Sequence, residues 1–115
     1  MTEISFNTKD NTRVIKCEGH AGYAASGYDV VCAGISAIIQ SYAFYLLDLQ
    51  DKKECELKKM LIAEGLCEIE AYSESLEAKA AYEMTVQGLC VLAESYPEFA
   101  HVKTWVEIEE TIFVE

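Results

Sequence analysis

The apolar pattern of this chain changes period abruptly after its first hairpin. The change falls within Gly19-His20-Ala21-Gly22-Tyr23-Ala24-Ala25-Ser26-Gly27-Tyr28-Asp29-Val30-Val31-Cys32-Ala33-Gly34-Ile35-Ser36. Ahead of it, Arg13 to Gly19 alternates, with Ile15 and Cys17 on one side and Val14, Lys16 and Glu18 on the other, as a half-buried strand does. Behind it, Ile35, Ile38, Ile39, Tyr42, Leu46 and Leu49 recur at helical spacing, which predicts a helix from Asp29 to about Leu49. Asp29 stands where a capping side chain belongs. A strand face and a helix stripe joined this closely bury each other best in a two-layer fold.

The remaining segments extend that pattern. Ile4 to Asn7 alternates and Lys9-Asp10-Asn11 has turn chemistry, so the first two strands read as a hairpin. Lys52-Lys53-Glu54 is a polar connector. Glu56 to Ile62 and Leu66 to Tyr72 form a second hairpin around Glu64-Gly65, with Cys67, Ile69 and Ala71 opposite Glu68 and Glu70. A second helix is expected from about Ser75 to Tyr96, with Ala80, Met84, Leu89, Val91 and Leu92 toward the core, and Pro97 stops it. Val102 to Val114 reads as a last strand, with Val102, Thr104, Val106 and Ile108 on one face. The order ββαββαβ implies one α+β domain over residues 1–115. It is a two-layer sandwich in which two helices cover one face of a mainly antiparallel sheet.

A net charge of −11 repels nucleic-acid phosphates and anionic membranes and attracts basic partners. Direct nucleic-acid binding is therefore not expected. The apolar run from Val30 to Leu49 is broken by Ser36, Gln40, Ser41, Tyr42 and Asp48, which marks a core helix rather than a membrane span. Five cysteines are an odd number, and no signal peptide is read ahead of Met1-Thr2-Glu3-Ile4. Reduced thiols in a cytoplasm fit that count better than a disulfide framework.

Chemistry concentrates at the junction. Cys32 falls in the first turn of the helix, where free N–H groups and the helix dipole favour a thiolate over a thiol whose ordinary pKa is about 8.5. His20, at the end of the neighbouring strand, supplies an imidazole. Asp29 either caps the helix or orients His20 in a Cys-His-Asp arrangement. Ser36, one turn beyond Cys32, hydrogen-bonds near the thiolate or back-bonds to its helix. Gly19, Ala21, Gly22, Tyr23, Ala24, Ala25, Gly27 and Tyr28 make a loop of little bulk that can admit and close over a peptide. Tyr23 and Tyr28 are candidates to line its groove, and the N–H groups of Val31 to Ala33 are candidates for an oxyanion site. A metal site on Cys17, His20 and Cys32 is set aside, because residues three apart on a strand face opposite ways. Cys55, Cys67 and Cys90 read as small core residues, and no cofactor is implied.

Gly19-His20-Ala21, Tyr23-Ala24, Gly27, Asp29-Val30-Val31-Cys32-Ala33 and Ser36 together closely resemble the signature of the bacterial ribosomal-processing cysteine protease family, Prp. The resemblance implies a cytoplasmic, homodimeric cysteine endopeptidase. Such an enzyme removes a short N-terminal extension from large-subunit ribosomal protein twenty-seven, cutting after an aromatic-rich apolar sequence. It puts the catalytic cysteine on Cys32 and the catalytic histidine on His20. The motif aspartate and serine fall on Asp29 and Ser36, and the loop on Ala21 through Tyr28. The rival reading is an acidic module that captures a basic ribosomal protein or assembly factor without cutting it.

Overall fold

The computed structural model describes residues 1–25 and 29–103. Strands β1 (Thr2–Lys9) and β2 (Thr12–Glu18) form the first hairpin, followed by helix α1 (Val30–Asp51). Strands β3 (Glu56–Ala63) and β4 (Leu66–Tyr72) form the second hairpin, followed by helix α2 (Leu76–Ser95) and a short strand β5 (Ala100–Val102). The five strands make one sheet in the order β3-β4-β2-β1-β5. Every pairing is antiparallel except that of β1 with β5.

The hairpins close where turn residues relieve the backbone. Asp10, in the two-residue link between Lys9 and Thr12, sits in the left-handed region that aspartate tolerates better than most side chains (φ +56°). The register then puts Ile4 opposite Cys17, Phe6 opposite Ile15, and Ile15 opposite Ile69, so one face of three strands is continuously apolar. Ile4, Ile15 and Ile69 are fully buried on that face. The other face carries Ser5, Lys16, Glu68 and Glu70 and remains partly open to water. Both helices lie on the apolar face, as the sequence implies, and their buried side chains join the strands in one cluster.

Helix α1 starts under the Asp29 cap and buries Val31, Ile35, Ile39, Tyr42, Leu46 and Leu49. It is long and apolar enough to cross a bilayer, yet this stripe is packed against the sheet. Helix α2 departs from the expected face. Its buried residues are Ala78, Tyr82, Thr85, Leu89 and Ala93, whereas Met84 is 77% exposed, and Val91 and Ala80 also face solvent. Thr85 can be buried because its hydroxyl donates to Ala81 O at 2.7 Å within the helix. The two helices meet over glycines. Leu92 lies over Gly34, and Ile38 over Gly88.

Among the described residues the last strand is Ala100–Val102, which begins two residues ahead of the expected start at Val102. Ala100–Val102 pairs in parallel with Thr2–Ile4, anchored by Thr2 N–H to Phe99 O (2.9 Å) and Lys103 N–H to Ile4 O (2.6 Å). Thr104, Val106 and Ile108 lie outside the described residues.

Candidate active site

Where β2 ends, backbone geometry turns the chain out of the sheet. Gly19 has φ +93°, and a Cβ there would stand 2.5 Å from Met1 O, so no side chain fits. Its N–H donates to Gly65 O at 2.9 Å, which ties the end of β2 to the β3–β4 turn. His20 follows, exposed, with its carbonyl accepting from the Met1 ammonium. Because the strand has already ended, the alternation that would send Cys17 and His20 to opposite faces no longer applies. Both line one cleft of about 770 Å³. Among the described residues no group of three His, Cys, Asp or Glu side chains is placed to hold a metal ion.

Asp29 is 8% exposed and makes four hydrogen bonds. Oδ1 accepts from the N–H groups of Val31 and Cys32, both at 3.0 Å. Oδ2 accepts from Tyr23 at 2.9 Å and Ala24 at 3.4 Å. Of the two roles open to Asp29, these contacts are those of the cap, and the same carboxylate also clamps the loop onto the helix. Desolvation pushes its pKa up, but bonds from the Cys32, Ala24 and Tyr23 amides and the Cys32 thiol outweigh that and hold the carboxyl below its ordinary range.

This clamp changes the expected anion site. The N–H groups of Val31 and Cys32 are taken by the Asp29 side chain, and that of Ala33 donates to Asp29 O at 3.0 Å. None is left for a substrate oxygen. The donor facing the sulfur comes from the loop instead, since the N–H of Ala21 donates to Cys32 Sγ at 3.4 Å. Ala21 is buried, and Gly22 beside it takes φ +77° with open space where a Cβ would point.

Cys32 is half-buried in the third helical position and faces the cleft, as does Ser36 one turn on. The Ser36 hydroxyl oxygen accepts from Gln40 Nε2 at 2.6 Å. No hydrogen bond joins His20 to Cys32 among the described residues. Catalytic pairs are often loose before substrate enters. Tyr23 does not line the cleft. Its ring packs edge-on against Tyr96 (centroids 5.7 Å) and Phe99 (5.2 Å), which pins this end of the loop to the far end of α2. Gly27 and Tyr28 lie outside the described residues.

The second hairpin supplies a wall that local sequence does not reveal. Ile62, Glu64, Gly65, Leu66 and Cys67 line the cleft opposite α1. Cys67 sits directly across from Cys17 in the sheet. Burial, and then proximity to Cys67, push the Cys17 thiol up to about 12, so it is inert as a nucleophile beside Cys32. Burial likewise raises Cys55 and Cys90. The only signal for this wall is the pairing of Cys17 with Cys67 and Glu18 with Leu66, which places the Glu64-Gly65 turn next to His20.

The fold matches solved structures over nearly its whole described length. The essential ribosomal processing protease Prp from Staphylococcus aureus, bound to a covalently linked product peptide, superposes with a TM-score of 0.75 at 19% identity. That match covers 90% of this chain and 99% of the other. The same protease with a substrate peptide gives 0.67 at 19% identity, with the same coverage. SMU.848 from Streptococcus mutans gives 0.64 at 22% identity, covering 90% of this chain and 93% of that one. No curated protein sequence matches the chain. The family model described as cysteine protease Prp matches residues 1–101. With a thiol at a capped helix start, an imidazole in the same cleft and a glycine-bearing loop between them, this chain belongs to the Prp family of cysteine proteases.

Proposed function

We propose that this protein is the endopeptidase that removes the N-terminal extension of large-subunit ribosomal protein twenty-seven, with Cys32 as nucleophile and His20 as general base and acid. The observation that carries the reading is the loop amide of Ala21 directed at Cys32 Sγ, in a cleft that also holds His20. An N–H donor at that sulfur stabilises negative charge on it and lies beside the place where the oxygen of a tetrahedral intermediate develops.

In this mechanism His20 takes the Cys32 proton, and the thiolate forms a C–S bond to the scissile carbonyl carbon. The N–H of Ala21 supports the oxyanion. Collapse breaks the C–N bond as His20 returns the proton to the leaving amine. Water, deprotonated by His20, then hydrolyses the thioester and frees Cys32. Asp29 acts by holding the loop, and Ser36 lends its hydroxyl to the cleft beside the sulfur. The apolar wall of Ile35, Ile62 and Leu66 suits the aromatic-rich sequence ahead of the cut. The enzyme acts in the cytoplasm as a homodimer, and each helix leaves large apolar side chains in solvent, Phe44 and Tyr45 on α1 and Met84 and Val91 on α2.

The test is mass spectrometry of a peptide spanning that N-terminal extension, incubated with wild type and with Cys32→Ala. One discrete cut by wild type alone is the expected result. Equal cutting by Cys32→Ala removes Cys32 from the chemistry. A peptide that binds wild type and is never cut favours the capture module.

A further inference from the structure

The imidazole of His20 rests on a residue that has no side chain. A Cβ built on Gly65 would stand 3.0 Å from Nε2, 3.3 Å from Cε1 and 3.6 Å from Cδ2 of His20. The first two distances are tighter than most carbon contacts, so a Cβ at this position would press on the ring edge and shift it by a few tenths of an ångström. We propose that Gly65 is a positioning residue for His20, its bare Cα being the seat that fixes where the imidazole lies in the cleft.

Three observations converge on this, and the proposal rests on the proteolytic role given to His20 above. The contact is made by the Nε2 edge of the ring, the part of the side chain farthest from its own backbone, so the turn limits how the ring swings. Among the described residues the His20 side chain makes no hydrogen bond, and its ring lies against the turn. The two backbones are fastened together one residue away, where the Gly19 N–H donates to Gly65 O at 2.9 Å. The β3–β4 hairpin is held in register up to the Ala63–Leu66 pair. Its turn thus presents Gly65 at a fixed height beside β2.

Gly65 also has φ +79°, which by itself favours glycine in a two-residue turn. That requirement and the seat separate experimentally, because asparagine tolerates the left-handed region while still carrying a Cβ. If only the turn matters, Gly65→Asn behaves as wild type and Gly65→Ala is impaired through stability. If the seat matters, Gly65→Asn keeps a near-native Tm but displaces the ring. A Cβ at 3.0 Å moves the ring edge by a few tenths of an ångström, so the expected result for Gly65→Asn is a kcat lowered severalfold, short of the roughly hundredfold that a full ångström costs, with KM within about twofold.

The His20 ring resonance in proton NMR gives a readout that needs no turnover. The chain has two histidines, and His20→Ala assigns the signal. Gly65→Asn and Gly65→Ala should both move it. An unmoved resonance in Gly65→Asn, or wild-type kcat in that variant, overturns the seat. Wild-type cleavage by His20→Ala would instead overturn the proteolytic role itself, so the two failures are distinguishable.

Discussion

Asp29 holds four backbone amides with one carboxylate, and its two oxygens serve different masters. Oδ1 caps α1, while Oδ2 fixes Tyr23 and Ala24 and so aims the Ala21 amide at the sulfur. Asp29→Asn retains one oxygen for the cap but turns an NH₂ toward the loop amides. It should lower Tm less than Asp29→Ala in thermal denaturation, yet lose cleavage nearly as completely. Because the folded carboxyl has the lower pKa, the stability it confers is complete above the unfolded value of about 3.9. That stability is lost as pH falls through the folded value, so the Tm gap between wild type and Asp29→Asn should close in strong acid. Ala21→Pro removes the N–H that meets Sγ and puts its Cδ where that hydrogen lay, against the sulfur, so the donor's loss and the crowding act in the same direction. Losing one such donor costs about a hundredfold to a thousandfold in kcat. Unchanged kcat in that variant would return the oxyanion site to the helix.

At the scale of elements, the local signals agree with the structure for both hairpins and for α1. Alternation located both hairpins, and helical spacing located α1 with its buried face, because each signal lies within one segment. On α2, Leu89 and Leu92 pack inward as the sequence implies, but Ala80, Met84 and Val91 point outward, because Ala78, Tyr82, Thr85 and Ala93, which stand out less by apolarity, complete the buried stripe. Cys32, His20 and Asp29 lie in one contiguous stretch and were legible together. Gly65 and Cys67 were not, since they reach the cleft only through the pairing of β4 with β2. The corrected face can be tested by substitution. Leu89→Ala should cost about 2–5 kcal/mol, whereas Met84→Ala should stay within about 0.5 kcal/mol of wild type. Gly88 gives the opposite sign. A Cβ there meets Ile38 Cδ1 at an ordinary 3.5 Å, so Gly88→Ala removes a helix-propensity penalty of about 0.8–1 kcal/mol without a clash and should raise Tm.

At the scale of the whole molecule, charge and cleft perform separable tasks. Toward the proposed basic substrate, the net charge of −11 would act through space before contact, whereas Ile35, Ile62 and Leu66 would act only on chain already in the cleft. Salt distinguishes the two. Raising ionic strength from about 0.1 M to about 1 M shortens the screening length from about 10 Å to about 3 Å. Long-range attraction should then vanish while apolar contacts persist. The expected outcome is a kcat/KM for the full basic substrate that falls steeply with salt, almost wholly through KM, with kcat unchanged. A short peptide carrying the same aromatic-rich sequence but no lysine or arginine should show little salt dependence. If both substrates respond alike, the acidity of the chain contributes nothing to recognition, and the cleft alone selects what is cut.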